Sequence, residues 1–314
     1  MRILKRLAGF IGTLVFLSFF VFLAFSVLPG DSAVTKLGTN ATPEQISALR
    51  EEMGLNDSVF VRYGRFLKGA VTGDFGESTR YKRSVSALLS ECLPNTLCLT
   101  VLSLLLVLVF SIPFGVLSAH FSGRLPDKLL SGTGQLFMAT PSFFMGIFLS
   151  LVFGVWLKWF LPGSAVSFTK DPAGAIAYMV YPALAIALPK IGMTARYLKN
   201  ALLKEESADY VRTARSLGKP EQRILFTEML PNALISVITF LGVVAAELLA
   251  GSIVIEQVFG ISGIGRLLVV SVSNRDYNVI SAIVLYIGLA VLLVNLLVDL
   301  LYGAADPRVR RKTE

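Results

Sequence analysis

Six apolar stretches, at residues 7–28, 94–119, 129–156, 173–193, 232–258 and 279–302, follow one another along this chain with almost no charge inside them. Each reaches the roughly 20 residues that a helix needs to cross a bilayer, where every backbone polar group must find its partner inside the helix. A soluble domain does not carry such a series, and the composition agrees: 54% of the 314 residues are hydrophobic and 16% charged, against about 25% charged in ordinary globular chains. The sequence therefore predicts an all-α polytopic membrane protein with six transmembrane helices. The basic stretch MRILKRL before an apolar run this long marks a retained signal anchor, since a cleaved signal has an apolar region of only about 7–15 residues.

The net charge of +8 raises the question of nucleic acid. The basic residues sit in short segments between apolar spans and form no recognition motif, so nucleic acid is excluded as a partner. Orientation follows from the same residues. Arg2, Lys5 and Arg6 precede the first span, Arg124 and Lys128 separate the second and third, and seven basic residues from Arg196 to Arg223 separate the fourth and fifth. Arg308, Arg310, Arg311 and Lys312 follow the sixth, which puts both termini on the cytoplasmic side. Four regions result: 1–29, the N-terminus and first span; 30–92, an extracytoplasmic helical excursion; 93–303, the permeating core, containing a cytoplasmic loop at 196–230; and 304–314, a basic cytoplasmic tail.

The excursion holds eight Lys/Arg and eight Asp/Glu and carries folding signals. Thr42-Pro43-Glu44-Gln45 caps a helix that Gly54 ends, a second helix runs from Ser58 to Val71, and GDFGES forms a turn. Cys92 and Cys98 lie about 9 Å apart along one helix, beyond disulfide reach. With His120 as the one histidine, no closed Cys/His site can form and no metal is expected.

The stretch ARYLKNALLKEESADYVRTARSLGKPEQRILFTEMLP is too charged to span. It reads as helix, break, helix, with Tyr210, Val211, Ala214 and Leu217 on one stripe and Arg212, Arg215 and Lys219 elsewhere. Gly218-Lys219-Pro220 ends that helix, Pro220 starts another, and Pro231 suits the first turn of the fifth span. Periodicity fits either a helix lying on anionic lipid or one docking into a partner's groove.

Ala214, three residues, Gly218, then Leu230-Pro231 resembles the EAA loop of permease subunits in binding-protein-dependent ATP-binding-cassette importers, and ADYVRTARSLG is similar to its dipeptide, oligopeptide and nickel subgroup. The resemblance extends through ATPEQISALREEMGLND, GDFGES, IEQVFGISGIGRLL, NRDYNVI, NLLVDLLYG and DPRVRRK. Arg212 and Thr213 stand where the motif's Glu and first Ala would be, Glu228 replaces an aliphatic residue, and Ser262 takes the place of a frequent proline before Gly263. The resemblance implies a type I importer permease fold, a second homologous permease as partner, two cytosolic ATPase subunits, an extracytoplasmic substrate-binding protein, and residence in a bacterial or archaeal inner membrane. It also implies that Ala208, Asp209, Tyr210, Val211, Ala214, Gly218, Leu230 and Pro231 couple the spans to an ATPase, the apolar stripe entering the ATPase groove.

No G-x-x-x-x-G-K-[ST] loop is present, so this chain has no catalytic residues of its own, and ATP and Mg belong to the partner ATPases. Gly260-Ile261-Ser262-Gly263-Ile264-Gly265 lacks a strand-turn-helix setting and reads as a flexible turn. Glu247 lies within the fifth span and is the candidate for the translocation path, with Glu256 and Asp299 near span ends. Glu256 can cap a turn, and Asp299 can pair with the basic tail. The cargo implied is a di- or oligopeptide, with nickel or a metal chelate as the alternative; an ion-coupled secondary transporter is the rival of another class.

Overall fold

The computed structural model describes residues 2–27, 41–52, 54, 56–164 and 171–305, and among them helix is the only regular structure apart from one bridge between Glu77 and Ser84. In chain order the helices are α1 (Arg2–Val27), α2 (Pro43–Glu52), α3 (Val59–Thr72), α4 (Val85–His120), α5 (Leu125–Ala139) and α6 (Ser142–Leu149). A π-helical segment, Ser150–Trp156, prolongs α6. Then come α7 (Pro172–Glu206), α8 (Asp209–Ser216), α9 (Glu221–Ile224), a π turn at Leu225–Met229, α10 (Leu230–Phe259), α11 (Ile264–Ser273) and α12 (Tyr277–Ala305). The basic tail beyond 305 and the start of the excursion, 28–40, lie outside the described residues.

Among the described residues five helical runs are long and apolar enough to span, and α5 with α6 makes a sixth only as a pair bent by 101°. The apolar run expected to span at 129–156 is thus broken within its length. Proline at 141 has no amide to donate and pushes the residue before it out of the helical region. Thr140 accordingly turns to φ −94°, ψ 121°, and the helix stops at Ala139. Pro231 stands in the first turn of α10, as expected, yet it does not open a separate helix. Instead α9, the π turn and α10 run on without a break. The π turn makes this possible, for Leu230 N–H bonds to the Leu225 carbonyl five residues back, just where the proline interrupts the α ladder.

Contacts divide the chain into two units, Met1–Leu93 with Arg266–Leu292, and Pro94–Gly265 with Leu293–Glu314. In the first, α2 begins with the expected capping box: Gln45 N–H donates to Thr42 Oγ1 at 3.3 Å and Thr42 N–H to Gln45 Oε1 at 3.0 Å. Gly73, at φ +76°, ends α3. Rather than standing clear in water, α3 lies along the middle of α1. Tyr63 packs edge-on against Phe19 at 5.3 Å, its hydroxyl lies 2.8 Å from Ser18 Oγ, and Phe66 meets Phe22 at 5.6 Å. Tyr63 and Phe66 of VFVRYGRF, three residues apart and so on one helix face, supply that stripe. GDFGES and NRDYN prove to be two halves of one contact. Ser78 Oγ donates to Asp276 Oδ2 at 2.5 Å, Arg80 N–H donates to the same oxygen at 3.2 Å, and Asn278 Nδ2 donates to the Glu77 carbonyl at 2.9 Å.

The second unit is built around α7, which packs against α5, α6 and α10. Its small residues Ala183, Ala185 and Ala187 are fully buried. Gly192 lies so close to α5 that a Cβ on it would meet the Gly134 carbonyl oxygen at 2.4 Å. At one end of the unit the GISGIG turn closes over Glu256, which is buried. Thr96 Oγ1 donates to Glu256 Oε1 and accepts from Ile264 N–H, both at 2.8 Å. A Cβ on Gly263 would stand 2.4 Å from the Glu256 carboxyl carbon, and one on Gly265 2.4 Å from Ile253 Cα. These glycines are there for close approach, while Gly260, at φ +68°, closes α10. Ser262 gives its carbonyl to Asn95 Nδ2 at 2.8 Å, and its amide donates to no acceptor among the described residues, a position proline can fill.

Gly263→Ala should therefore lower the stability of the detergent-purified chain by about 1–3 kcal/mol, whereas Ser262→Pro should stay within about 0.5 kcal/mol of the parent. Thermal unfolding followed by circular dichroism compares the two directly; equal losses would show that the turn is not packed as described.

Candidate functional site: the break between α7 and α10

The charged stretch between the fourth and fifth spans folds as a short helix held across the ends of longer ones. Ala208 is the N-cap of α8 in extended conformation, and its carbonyl accepts from Val211 N–H at 3.1 Å and Arg212 N–H at 3.2 Å. Asp209 occupies the first turn, where the helix dipole favours a negative charge, and pairs loosely with Arg212 at 3.7 Å. Gly218, at φ +75° with open space around its Cα, turns the chain out of the helix, its N–H bonding the Arg215 carbonyl at 2.9 Å. Lys219 N–H then returns to the Ala214 carbonyl at 3.2 Å.

The apolar stripe of α8 points into its own chain. Val211 is 0% and Ala214 4% exposed, packed with Val116 at the end of α4, Leu198 and Leu202 of α7, and Ile224 and Met229 beside the π turn. Leu230 packs on the edge of this cluster, and Pro231 is exposed. This corrects the expectation that the stripe fills a partner's groove. Leu217, placed on the stripe by periodicity, lies past the last turn and is 73% exposed. The outward face consists of Asp209, Arg212, Thr213, Ser216, Leu217 and Gly218.

Polar contacts lock the same break. Arg215 Nε donates to Glu221 at 2.8 Å and its Nη2 to Glu206 at 3.2 Å, joining the residues on either side of α8. The Glu221 carboxylate raises the pKa of that guanidinium further. Lys219 Nζ reaches Glu228 Oε1 at 2.6 Å, which gives the departure at 228 a partner. Tyr210 donates its hydroxyl to Glu205 Oε2 at 2.5 Å. Burial and then the Glu205 carboxylate push the phenol up from 10.0 to about 12.

Glu247 lies far from this break, in the middle of α10, and is ion-paired with Lys190 of α7, the carboxylate side chain remaining 45% exposed. Seven residues along each helix, Tyr197 and Phe240 stack with ring centroids 4.5 Å apart and planes 6° from parallel. Lys190 was not singled out from the sequence, though a lysine within an uncharged run was the available signal. Cys92 and Cys98 are not joined by a disulfide, and the described residues hold no cluster of His, Cys, Asp or Glu able to bind a metal.

Apolar spanning helices with a broken third member and a charged helix packed across their ends define a multi-pass α-helical membrane protein. Residues 111–311 match the family described as the binding-protein-dependent transport system inner membrane component, and residues 1–100 its N-terminal component. The chain belongs to this family. It is 36% identical over 308 residues, 98% of each chain, to a protein of Brucella abortus (strain 2308) designated a peptide transport system permease. It is 37% identical over 313 residues, 99% of each, to the glutathione transport system permease GsiC of Salmonella paratyphi A. Among solved structures it resembles a chain of the inward-facing MetNI methionine ABC transporter, with TM-score 0.56 and 20% identity over 70% of this chain and 96% of that one, a likeness of fold.

Val211→Asp should place an unpaired carboxylate in the cluster and cost about 3–5 kcal/mol, read as loss of monodisperse protein on size exclusion. The Tyr210 phenol is protonated more tightly in the folded chain than when unfolded, so its contribution is full below pH 10.0 and declines as pH rises toward about 12. The stability difference between the parent and Tyr210→Phe should therefore shrink across that window and stay constant below it. For the mid-span pair, Lys190→Ala and Glu247→Ala should each destabilise more than the double variant, with a coupling of about 1–2 kcal/mol.

Proposed function

We propose that this chain is one of two permease subunits of an ATP-driven importer of peptides. The reading rests on the anchoring of α8: a helix too short to be stable alone is fixed by Val211 and Ala214 to the ends of α4, α7 and α10 while its other face stays free. A partner that grips the free face can move three membrane helices through one contact, which is what coupling to a motor requires. In this reading Ala208, Asp209 and Gly218 shape the ends of α8, Tyr210, Val211, Ala214 and Leu230 tie it to the spans, and Pro231 with the π turn sets its link to α10.

The motors are two cytosolic ATPase subunits carrying ATP and Mg. A second permease completes the path, and an extracytoplasmic binding protein delivers the cargo. Both termini lie in the cytoplasm and the chain resides in the inner membrane, as the basic residues of its short loops direct. Peptides are the cargo favoured by the designations of the relatives. Glu247 belongs to the path: a carboxylate in mid-bilayer that is still 45% exposed on this chain is costly against lipid and is accommodated where it faces water or the partner permease.

Co-expression with the ATPases and the second permease tests this. Leu217→Asp and Arg212→Glu, both on the exposed face, should reduce ATPase recovery in a pull-down at least tenfold while the subunit still inserts and purifies normally. ATP hydrolysis by the reconstituted complex should rise with peptide-loaded binding protein and not with a nickel chelate. Full ATPase recovery with both variants would refute the docking face, and stimulation by the chelate would refute the cargo.

A further inference from the structure

Between α4, α5 and α7, wholly within the second unit, lies a cavity of about 320 Å³ that no part of the coupling or path assignment uses. Its lining changes character along the helix axes. Near the end that carries α8 stand Ser131, Gln135, Arg196 and Asn200; deeper, toward the middle of the spans, stand Phe114, Phe137 and Ile191. The order follows from sequence, because α4 and α5 run antiparallel to one another and the last turns of α7 bring its polar residues beside the start of α5.

Charge in the cavity is not balanced. Lys199 is held by Asp127 at 2.5 Å, and Asp127 also accepts from Ser118 Oγ at 2.5 Å and from Gly123 N–H at 2.8 Å, so this carboxylate is fully engaged. Arg196, an exposed residue of the lining, has no hydrogen bond or ion pair among the described residues, so one guanidinium at the polar end is available to a ligand. Asn200 and Gln135 add amide donors beside it. A guanidinium with flanking amides matches a phosphodiester, which it can bind through two parallel hydrogen bonds. The apolar floor matches an acyl chain entering from the bilayer, and basic pockets between helices on the cytoplasmic side suit anionic lipid headgroups.

We propose that this cavity binds an anionic phospholipid of the cytoplasmic leaflet, with Arg196 on the phosphodiester and the acyl chain against Phe114, Phe137 and Ile191. Its leaflet assignment rests on the orientation proposed above; the binding itself does not. A lipid seated there bridges α5 and α7 next to the break that carries α8, so its loss should loosen the joint between the third span and the coupling helix.

The test uses the full chain in detergent, with dioctanoyl phosphatidylglycerol, dioctanoyl phosphatidylcholine or glycerol 3-phosphate added at equal concentration, followed by native mass spectrometry and thermal unfolding. Phosphatidylglycerol should bind at least tenfold more tightly than phosphatidylcholine and raise the unfolding temperature. Arg196→Ala should abolish that preference, Arg196→Lys should restore part of it, and Lys128→Ala, an exposed basic residue outside the cavity, should leave it unchanged. Equal binding of the two lipids, equal protection by glycerol 3-phosphate, or an undiminished preference in Arg196→Ala would overturn the proposal. None of these outcomes depends on ATPase recovery or on the identity of the cargo.

Discussion

The close approach of α7 to its neighbours is the contact from which the second unit takes its form. Lipid gives apolar helices little reason to associate, because the tails solvate leucine as well as another helix does; association depends on van der Waals fit and small residues. Gly192 and Gly134 provide that fit, meeting backbone to backbone where a Cβ on Gly192 would collide with the Gly134 carbonyl, and the fully buried alanines at 183, 185 and 187 continue it. Gly146 repeats the device between α6 and α10, with Ile255 and Phe259 standing over the place of its missing side chain. One helix contacting α5, α6 and α10 through small residues leaves few alternative packings. Displacement of its end must then be shared by the rest.

In the coupling role proposed for α8, that geometry gives the break after α7 a mechanical meaning. A surface helix of eight residues has no intrinsic stability, and if α8 were held only by its ends it would fray when pulled. Val211 and Ala214 remove that freedom from the side, and Arg215 closes the break by bonding Glu206 before it and Glu221 after it. The continuous run from Glu221 through the π turn into α10 carries the same stiffness into the fifth span. A flexible hinge at Pro231 would dissipate motion there; the π turn accommodates the proline without one.

Much of this was legible in the chain because it is set by local chemistry. The capping box at Thr42 and Gln45, the stop at Gly54, the turn at Gly218 and the six apolar runs each depend on residues within a few positions of one another. The errors share the opposite property. Periodicity located the stripe of α8 but could not say whether its own chain or another protein covers it, since both present the same face. The bend at Thr140 and Pro141 was hidden because apolar residues continue across it. Lys190 was overlooked because the carboxylate it serves lies 57 residues away in sequence. The match of GDFGES to NRDYN spans 198 residues between Ser78 and Asp276 and has no local signature at all.

Two carboxylates of α10 lie in opposite environments, and the contrast bears on the path role proposed for Glu247. Glu256 is fully enclosed, with Thr96 donating to it and Gly263 pressed against its carboxyl group, so any movement of that side chain would leave a buried charge without its hydrogen bonds. Such a group fixes a turn and is poorly suited to meeting cargo. Glu247 has one basic partner and an open side. Its charge is compensated well enough for the helix to be stable, yet it remains within reach of whatever occupies the adjoining space. A peptide carries an ammonium and a carboxylate of its own, and a pair such as Lys190 and Glu247 can offer either sign without binding either strongly. In the path proposed above, weak, paired charge of this kind suits a conduit, because cargo held tightly in mid-membrane would not leave.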